Sequence, residues 1–202
     1  MNREGIILII SAPSGAGKTT LCRALMERFS SMKESVSYTT RTPREGEVHG
    51  VDYFFVSRQE FQHMIDSDAF AEWAEVHGNL YGTALATIDE ARKNGIDLVL
   101  DIDCQGARRL KEQIERCVYI FILPPSMEEL RRRLDNRSSD AREAIDLRIE
   151  RAAGEIREAR WYDYIIINDN LETAFEELSA IVVAHSRRTF RMLGQVAKLF
   201  DI

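Results

Sequence analysis

The chain has 202 residues, 45% of them apolar, and 27 basic against 33 acidic side chains leave a net charge of −6. That length suits one domain with a core of its own, and the apolar share excludes a disordered chain. The acidic balance argues against a general binder of nucleic acid or of anionic membranes, because neutralising rows of phosphates needs a positive surface. Any anionic ligand must therefore meet local clusters of Lys and Arg.

No apolar run approaches the ~20 residues that cross a bilayer, and the five aliphatic residues before Ser11 are too short for a secretory leader. Cys22, Cys104 and Cys117 lack C-x-x-C spacing, and His49, His63, His77 and His185 lie far apart, so neither a disulfide framework nor a zinc site is expected. A reducing cytoplasm is the expected compartment. Cys22 and Cys117 read as core residues, and Cys104, beside Asp103, is left open between the core and the surface.

In chain order, residues 6–10 form an aliphatic run that reads as a buried strand. Directly after it, Ala12, Pro13, Ser14, Gly15, Ala16, Gly17, Lys18, Thr19 and Thr20 form a glycine-rich turn that opens a helix expected near 18–29. Backbone N–H groups in such a turn point at an anion, Lys18 adds a mobile positive charge, and the helix presents its positive end. The pattern G-x-x-x-x-G-K-[ST] fails only at its first place, where Ala12 stands. Thr19 offers a hydroxyl for Mg²⁺. A further strand is expected at 35–38.

Between 39 and 94 the character changes. Strands are expected at 52–56 and 70–76 around a helix opened by Ser57-Arg58-Gln59-Glu60, which has capping-box spacing. Gly78-Asn79-Leu80-Tyr81-Gly82 reads as a turn, and Gly95 as a helix end. Arg41 and Arg44, held three apart on a loop stiffened by Pro43, suit the bidentate grip of a dianionic phosphate. Tyr53 and Tyr81 add hydroxyl donors.

The strand at 98–102 ends in two carboxylates, Asp101 and Asp103, which by the period of two share one face. If this strand neighbours the first, they reach the glycine-rich turn and can hold Mg²⁺ waters or a ribose hydroxyl. A helix at 107–115, a strand at 118–123 and a helix at 126–135 follow, the last with capping-box spacing at Ser126 and Glu129. The arginine-rich stretch around Asn136-Arg137-Ser138-Ser139-Asp140 reads as a lid, with most of its arginines paired to Glu143, Asp146, Glu150, Glu155 and Glu158 or solvated. A strand at 165–167 and a helix at 171–190 complete a doubly wound three-layer core. Residues 184–202 read as an amphipathic helix, with Phe190, Leu193, Val196 and Leu199 roughly on one side, expected to pack on the core with another subunit as the alternative.

Across nearly its whole length the sequence resembles the guanylate kinases. The shared stretches are the S-G-A-G-K-T loop, residues 37–47 with Gly50-Val51-Asp52-Tyr53, Glu72-Trp73-Ala74, Gly78-Asn79-Leu80-Tyr81-Gly82-Thr83 and Asp101-Ile102-Asp103-Cys104-Gln105-Gly106. The resemblance implies a P-loop NTPase-type α/β/α core with a parallel sheet (residues 1–34, 95–127 and 162–202), an inserted α+β GMP-binding lobe (35–94) and a helical lid (128–161). It also implies ATP and GMP or dGMP as substrates, Mg²⁺ as cofactor, no nucleic-acid or membrane partner, and a homo-oligomer as one possible assembly.

Residue by residue, the resemblance puts Arg41, Arg44, Tyr53 and Tyr81 on the GMP phosphate, and Ser37, Glu72 and Thr83 at the guanine. It puts Lys18 on the ATP phosphates, Thr19 and, through water, Asp101 on Mg²⁺, and Arg133, Arg137 and Arg148 in the lid. Asn168 and Asp169 lie near adenine, Asp101 and Asp103 border the GMP site, and Lys18, Arg44, Arg137 and Arg148 carry the transfer. A carboxylate at Glu72 accepts from guanine N1–H and the exocyclic amine, whereas adenine leaves it unpaired.

Three departures from the family pattern are Ala12, Thr83 in place of Ser, and Ser138 in place of Gly, and none removes a charge. A peptide-binding relative of the same architecture is the rival from another class, but such modules lack a working loop or arginines that are present here. A kinase for another nucleoside monophosphate lacks the base-reading carboxylate, so Glu72 separates the two.

Overall fold

The computed structural model describes residues 3–76, 78–136 and 142–201; the expectations for Arg137, Ser138 and the lid turn around them lie outside these residues. The chain opens with β1 (Ile7–Ser11), α1 (Lys18–Arg28) and β2 (Met32–Glu34). A second group follows: β3 (Tyr38–Thr39), β4 (Phe54–Phe55), α2 (Arg58–Asp66), β5 (Phe70–Val76), β6 (Asn79–Ala84) and α3 (Leu85–Asn94). The chain then runs through β7 (Asp97–Asp101), α4 (Cys104–Gln113), β8 (Cys117–Leu123), α5 (Met127–Asp135) and α6 (Arg142–Glu158). It ends with β9 (Tyr164–Ile167), α7 (Leu171–Ser186) and α8 (Thr189–Phe200).

Five strands form a parallel sheet in the order β2-β7-β1-β8-β9. Its unbroken aliphatic strands are explained by burial on both faces. Ile6, Leu8 and Ile10 pack with α1 and α7 through Leu21, Leu25, Ala174 and Leu178. Ile7 and Ile9 pack the other way, with Ile88, Leu100, Ala107 and Leu110. The period-2 alternation of β1 thus fills two cores and makes a three-layer α/β/α structure. A second sheet, β4-β3-β6-β5, has a small core of its own around Phe61, Phe70 and Leu80. α5 and α6 pack against each other through Leu130, Leu134, Ile145 and Ala152.

Several local expectations need correction. The strand expected at 35–38 is split: the core strand is Met32–Glu34, and Tyr38–Thr39 belongs to the second sheet. The amide of Ser35 still donates to the carbonyl of Val99 at 2.8 Å, so pairing fades before Tyr38 crosses to the other sheet. Of the strand expected at 52–56, Phe54–Phe55 pairs with β3, and Tyr53 forms an isolated bridge with His49. The turn expected at 78–82 is confined to Gly78, at φ 78°, and Asn79–Ala84 is a strand antiparallel to β5. Its glycine-rich, polar composition hid a strand buried at Leu80, Gly82 and Thr83.

The helix expected at 107–115 begins at Cys104 because Asp103 caps it, accepting from the Gly106 amide at 2.8 Å. β7 ends at Asp101, so Asp101 and Asp103 do not share a strand face. Cys117, expected in the core, is partly exposed, and Cys104 is buried because it begins a helix that packs on the sheet. The helix expected at 171–190 ends at Ser186, and α8 starts anew at Thr189.

The apolar side of α8 faces outward, contrary to the expected core packing: Phe190, Leu193 and Leu199 are exposed and Arg191 is the buried residue. Arg191 Nη1 donates to the carbonyls of Glu4 and Gly5 at 2.7 and 2.9 Å. The helix is therefore rotated to satisfy two backbone acceptors rather than to bury its apolar stripe. Among the arginines of the expected lid, Arg131 pairs with Asp146 across the two helices, whereas Arg132 and Arg133 share Glu129 within α5.

Candidate nucleotide and phosphate site

β1 is the central strand and hands the chain directly to the glycine-rich loop. Gly17, at φ 94°, sits immediately before α1, a backbone state that a β-carbon disfavours. A β-carbon there would also collide with the side-chain amide of Asn168. Asn168 is buried at the end of β9, and its Nδ2 donates to the carbonyl of Ala16 at 2.8 Å. The Asn168 carbonyl in turn accepts from Arg133 Nη2 at 2.9 Å, and Arg133 Nε donates to Glu129 at 2.7 Å. Asn168 thus spends its amide on the loop rather than facing a base, while its neighbour Asp169 is exposed.

Register places Asp101 opposite Ile10, at the end of the strand beside β1. The neighbouring-strand condition is met, and Lys18 Nζ forms an ion pair with Asp101 Oδ1. The lysine lies in an acidic surround. Glu34 and Glu155 are both raised chiefly by burial, and the charge of Lys18 lowers each. Thr19 and Thr20 are exposed in the first turn of α1.

The arginine loop lies on the second sheet. Arg41 reaches Glu47 with both terminal nitrogens, at 2.9 and 2.8 Å, and its guanidinium lies 5.4 Å from the Tyr53 ring centre. Tyr53 and Tyr81 meet edge-on at 6.0 Å, so these three residues come together. Glu47 also accepts from the Arg44 amide at 2.7 Å, which fixes the loop while the Arg44 side chain stays exposed. The hydrogen bonds from Arg41 and from that amide hold the Glu47 carboxyl down at about 2. Ser37 is half-buried on the segment leading into β3, and its carbonyl accepts from the Phe54 amide at 2.9 Å.

Glu72 is 8% exposed, on β5, and opposite it on β6 Thr83 Oγ1 donates to Oε1 at 2.8 Å. Burial pushes its carboxyl up to about 7; the Thr83 hydrogen bond opposes this and the charge of Asp103 adds to it. Arg109 on α4 donates to the Trp73 carbonyl and lies 5.5 Å from the Trp73 ring centre, bracing the strand beside Glu72. A cleft of about 1050 Å³ separates the outer part of β5 from α4 and α6, lined by Trp73, Asp103, Gln105, Arg109, Arg151 and Glu155. Lys18, Arg41 and Arg44 lie outside its lining. Arg148 lies half-buried on α6.

Sequence reasoning gave no role to Glu47, Arg109 or Gly106. The signal for Glu47 was its three-residue spacing from Arg44; Arg109 carried none.

A parallel sheet whose central strand feeds a glycine-rich loop into a helix, with the loop lysine paired to a carboxylate on the adjacent strand, defines a P-loop NTPase-type α/β protein. The comparisons then narrow the class. Residues 4–185 match the family model described as guanylate kinase. The chain is 62% identical to the guanylate kinase of Geobacter sulfurreducens and 63% to that of Geobacter metallireducens, in each case over 202 residues covering 100% of both chains. The crystal structure of guanylate kinase from Anaplasma phagocytophilum superposes with a TM-score of 0.75 at 36% identity, covering 99% of this chain and 97% of that one. The chain belongs to the guanylate kinase family.

Proposed function

We propose that this chain transfers the γ-phosphoryl group of ATP to GMP, and to dGMP, giving ADP and GDP by direct in-line attack of the GMP phosphate oxygen. The observation that carries the reading is the joint presence of two phosphate-binding elements, the Lys18 loop and the Arg41–Tyr53–Tyr81 group, with a buried acid at Glu72. The proposed division is a core of 1–34, 95–127 and 162–202, a GMP lobe of 35–94 and a lid of 128–161.

In this reading the loop amides and Lys18 bind the ATP phosphates, with Arg133 and Arg148 closing from the lid side. Arg41, Arg44, Tyr53 and Tyr81 hold the acceptor phosphate, and Ser37, Glu72 and Thr83 meet the guanine. Thr83 in place of Ser keeps the hydroxyl that orients Glu72. Arg44 and Arg148 stabilise charge that spreads over the phosphoryl oxygens during transfer, work for which an arginine can be worth about 10³-fold. Asp103 is tied up as the cap of α4, so its part is to seat that helix against Glu72. Asn168 positions the loop, and Asp169 is the residue of that pair left to face adenine.

The donor set fits Mg²⁺. The described residues hold no group of three or more His, Cys, Asp or Glu suited to a metal. Thr19 and Asp101 supply the few hard oxygens that suffice for an ion completed by water and substrate phosphates. When bound, Mg²⁺ neutralises charge on the β- and γ-phosphates. Among the described residues no helix is long and apolar enough to cross a membrane, and the cytoplasm is the proposed compartment.

The test is a coupled assay of ADP formation with Mg-ATP and GMP, dGMP, AMP or UMP. GMP should be preferred over AMP by about 10⁴-fold in kcat/KM. Equal rates across the monophosphates would remove the base assignment.

A further inference from the structure

Gly106 is the third residue of α4 and lies buried in an ordinary helical conformation. Glycine is the poorest helix former after proline, and no left-handed backbone state requires it at this place. What the structure requires is the missing side chain. A β-carbon on residue 106 would stand 2.7 Å from Glu72 Oε2, 3.3 Å from Glu72 Cδ and 3.4 Å from Asp103 Oδ1. The first distance is well inside contact, so the carboxylate would have to move.

Its freedom to move is limited. Oε1 accepts from Thr83 Oγ1 at 2.8 Å, and the residue is 8% exposed. On the α4 side the backbone is equally fixed, because the Gly106 amide donates to Asp103 Oδ1 at 2.8 Å. The carboxylate is therefore pinned between a hydroxyl on β6 and the bare backbone of the first turn of α4.

We propose that Gly106 is a specificity-determining residue, whose empty side-chain position sets the depth at which Glu72 presents its oxygens to the guanine edge. The inference rests on the reading of Glu72 as the guanine acceptor. A methyl group at 106 pushes Oε2 out of its seat. The carboxylate must then either break its bond to Thr83 or advance into the space of the base, and both spoil a paired set of hydrogen bonds fixed to within a few tenths of an ångström.

The test is Gly106→Ala, measured with GMP, IMP and AMP at saturating Mg-ATP and by thermal melting. IMP lacks the exocyclic amine and reports that hydrogen bond alone. Expected are a KM for GMP raised by about tenfold or more, a smaller GMP-to-IMP ratio, and a KM for ATP within about twofold of the parent. Melting reports two opposed effects, the better helix propensity of alanine and the cost of displacing the Glu72 carboxylate.

Glu72→Gln and the double variant complete a cycle, in which the two changes should be markedly non-additive. A GMP KM that rises in Glu72→Gln but not in Gly106→Ala overturns the role of Gly106 and leaves that of Glu72. Unchanged GMP kinetics in Glu72→Gln overturns the reading beneath it. If Gly106→Ala melts early, Glu72→Ala/Gly106→Ala must restore the melting temperature. A deficit that persists without the carboxylate would overturn the proposal.

Discussion

In the proposed reading, Glu72 joins folding to recognition in one residue. Its carboxyl is held up at about 7 by burial, with Thr83 on β6 and Arg109 on α4 favouring the charged form and Asp103 on α4 opposing it. A carboxyl raised on folding binds its proton more tightly in the native state. Its contribution to stability is thus fully present at low pH and is lost as pH rises from the ordinary carboxylate range through about 7. Guanine donates, so the acceptor must be ionised, and the KM for GMP should fall as pH rises through about 7. The GMP phosphate loses its second proton near pH 6 by about the same logic as other phosphate monoesters. Glu72→Gln separates the two: the step near 7 should vanish in the variant while the phosphate step stays, and a KM for ATP without either step is the control. At the same scale, Lys18→Met should leave melting unchanged and reduce kcat by about 10³-fold or more. Residual activity comparable to the parent would dismiss the phosphate-loop reading. The placement of Lys18, Arg41 and Glu72 as candidate site residues was legible because each is a charge in a particular setting. Gly106 was harder to see, since its contribution is the absence of atoms.

At the level of elements, the loop's shape depends on a neighbour far along the chain. Asn168, at the end of β9, holds the Ala16 carbonyl and leaves room only for a glycine at 17. Asn168→Ala leaves that carbonyl unpaired at a cost of about 1–3 kcal/mol in stability. It should raise the KM for ATP several-fold while the KM for GMP stays level, whereas a residue that served only the fold would shift melting and neither constant. The strands at 6–10, 98–102, 118–123 and 165–167 were read nearly to the residue because parallel strands buried on both faces leave continuous aliphatic runs. β6 was missed because its glycine and polar residues mimic a turn, and its strand state comes from pairing with β5. The start of α4 was placed three residues late because a capping Asp looks the same in sequence as an Asp at a strand end.

For the molecule as a whole, three-layer architecture followed from alternating strand and helix patterns, and the small second sheet from the break in that rhythm after residue 38. The orientation of α8 did not follow, because a periodic apolar stripe says nothing about an arginine seeking carbonyls. Arg191→Met should lower stability by about 2–3 kcal/mol in a urea melt, by stranding the acceptors of Glu4 and Gly5, and leave both substrate KM values unaltered. An unchanged urea midpoint would mean that α8 contributes nothing to the core. The Lys18–Asp101 ion pair carries a last consequence. It engages the loop's lysine with a carboxylate, so an anion binding there competes with Asp101 for that charge. In the proposed reading, a triphosphate that brought a divalent ion to Asp101 would release Lys18 to its phosphates, and chelated nucleotide would be favoured over unchelated. Excess free ATP in the presence of a chelator should accordingly compete only weakly.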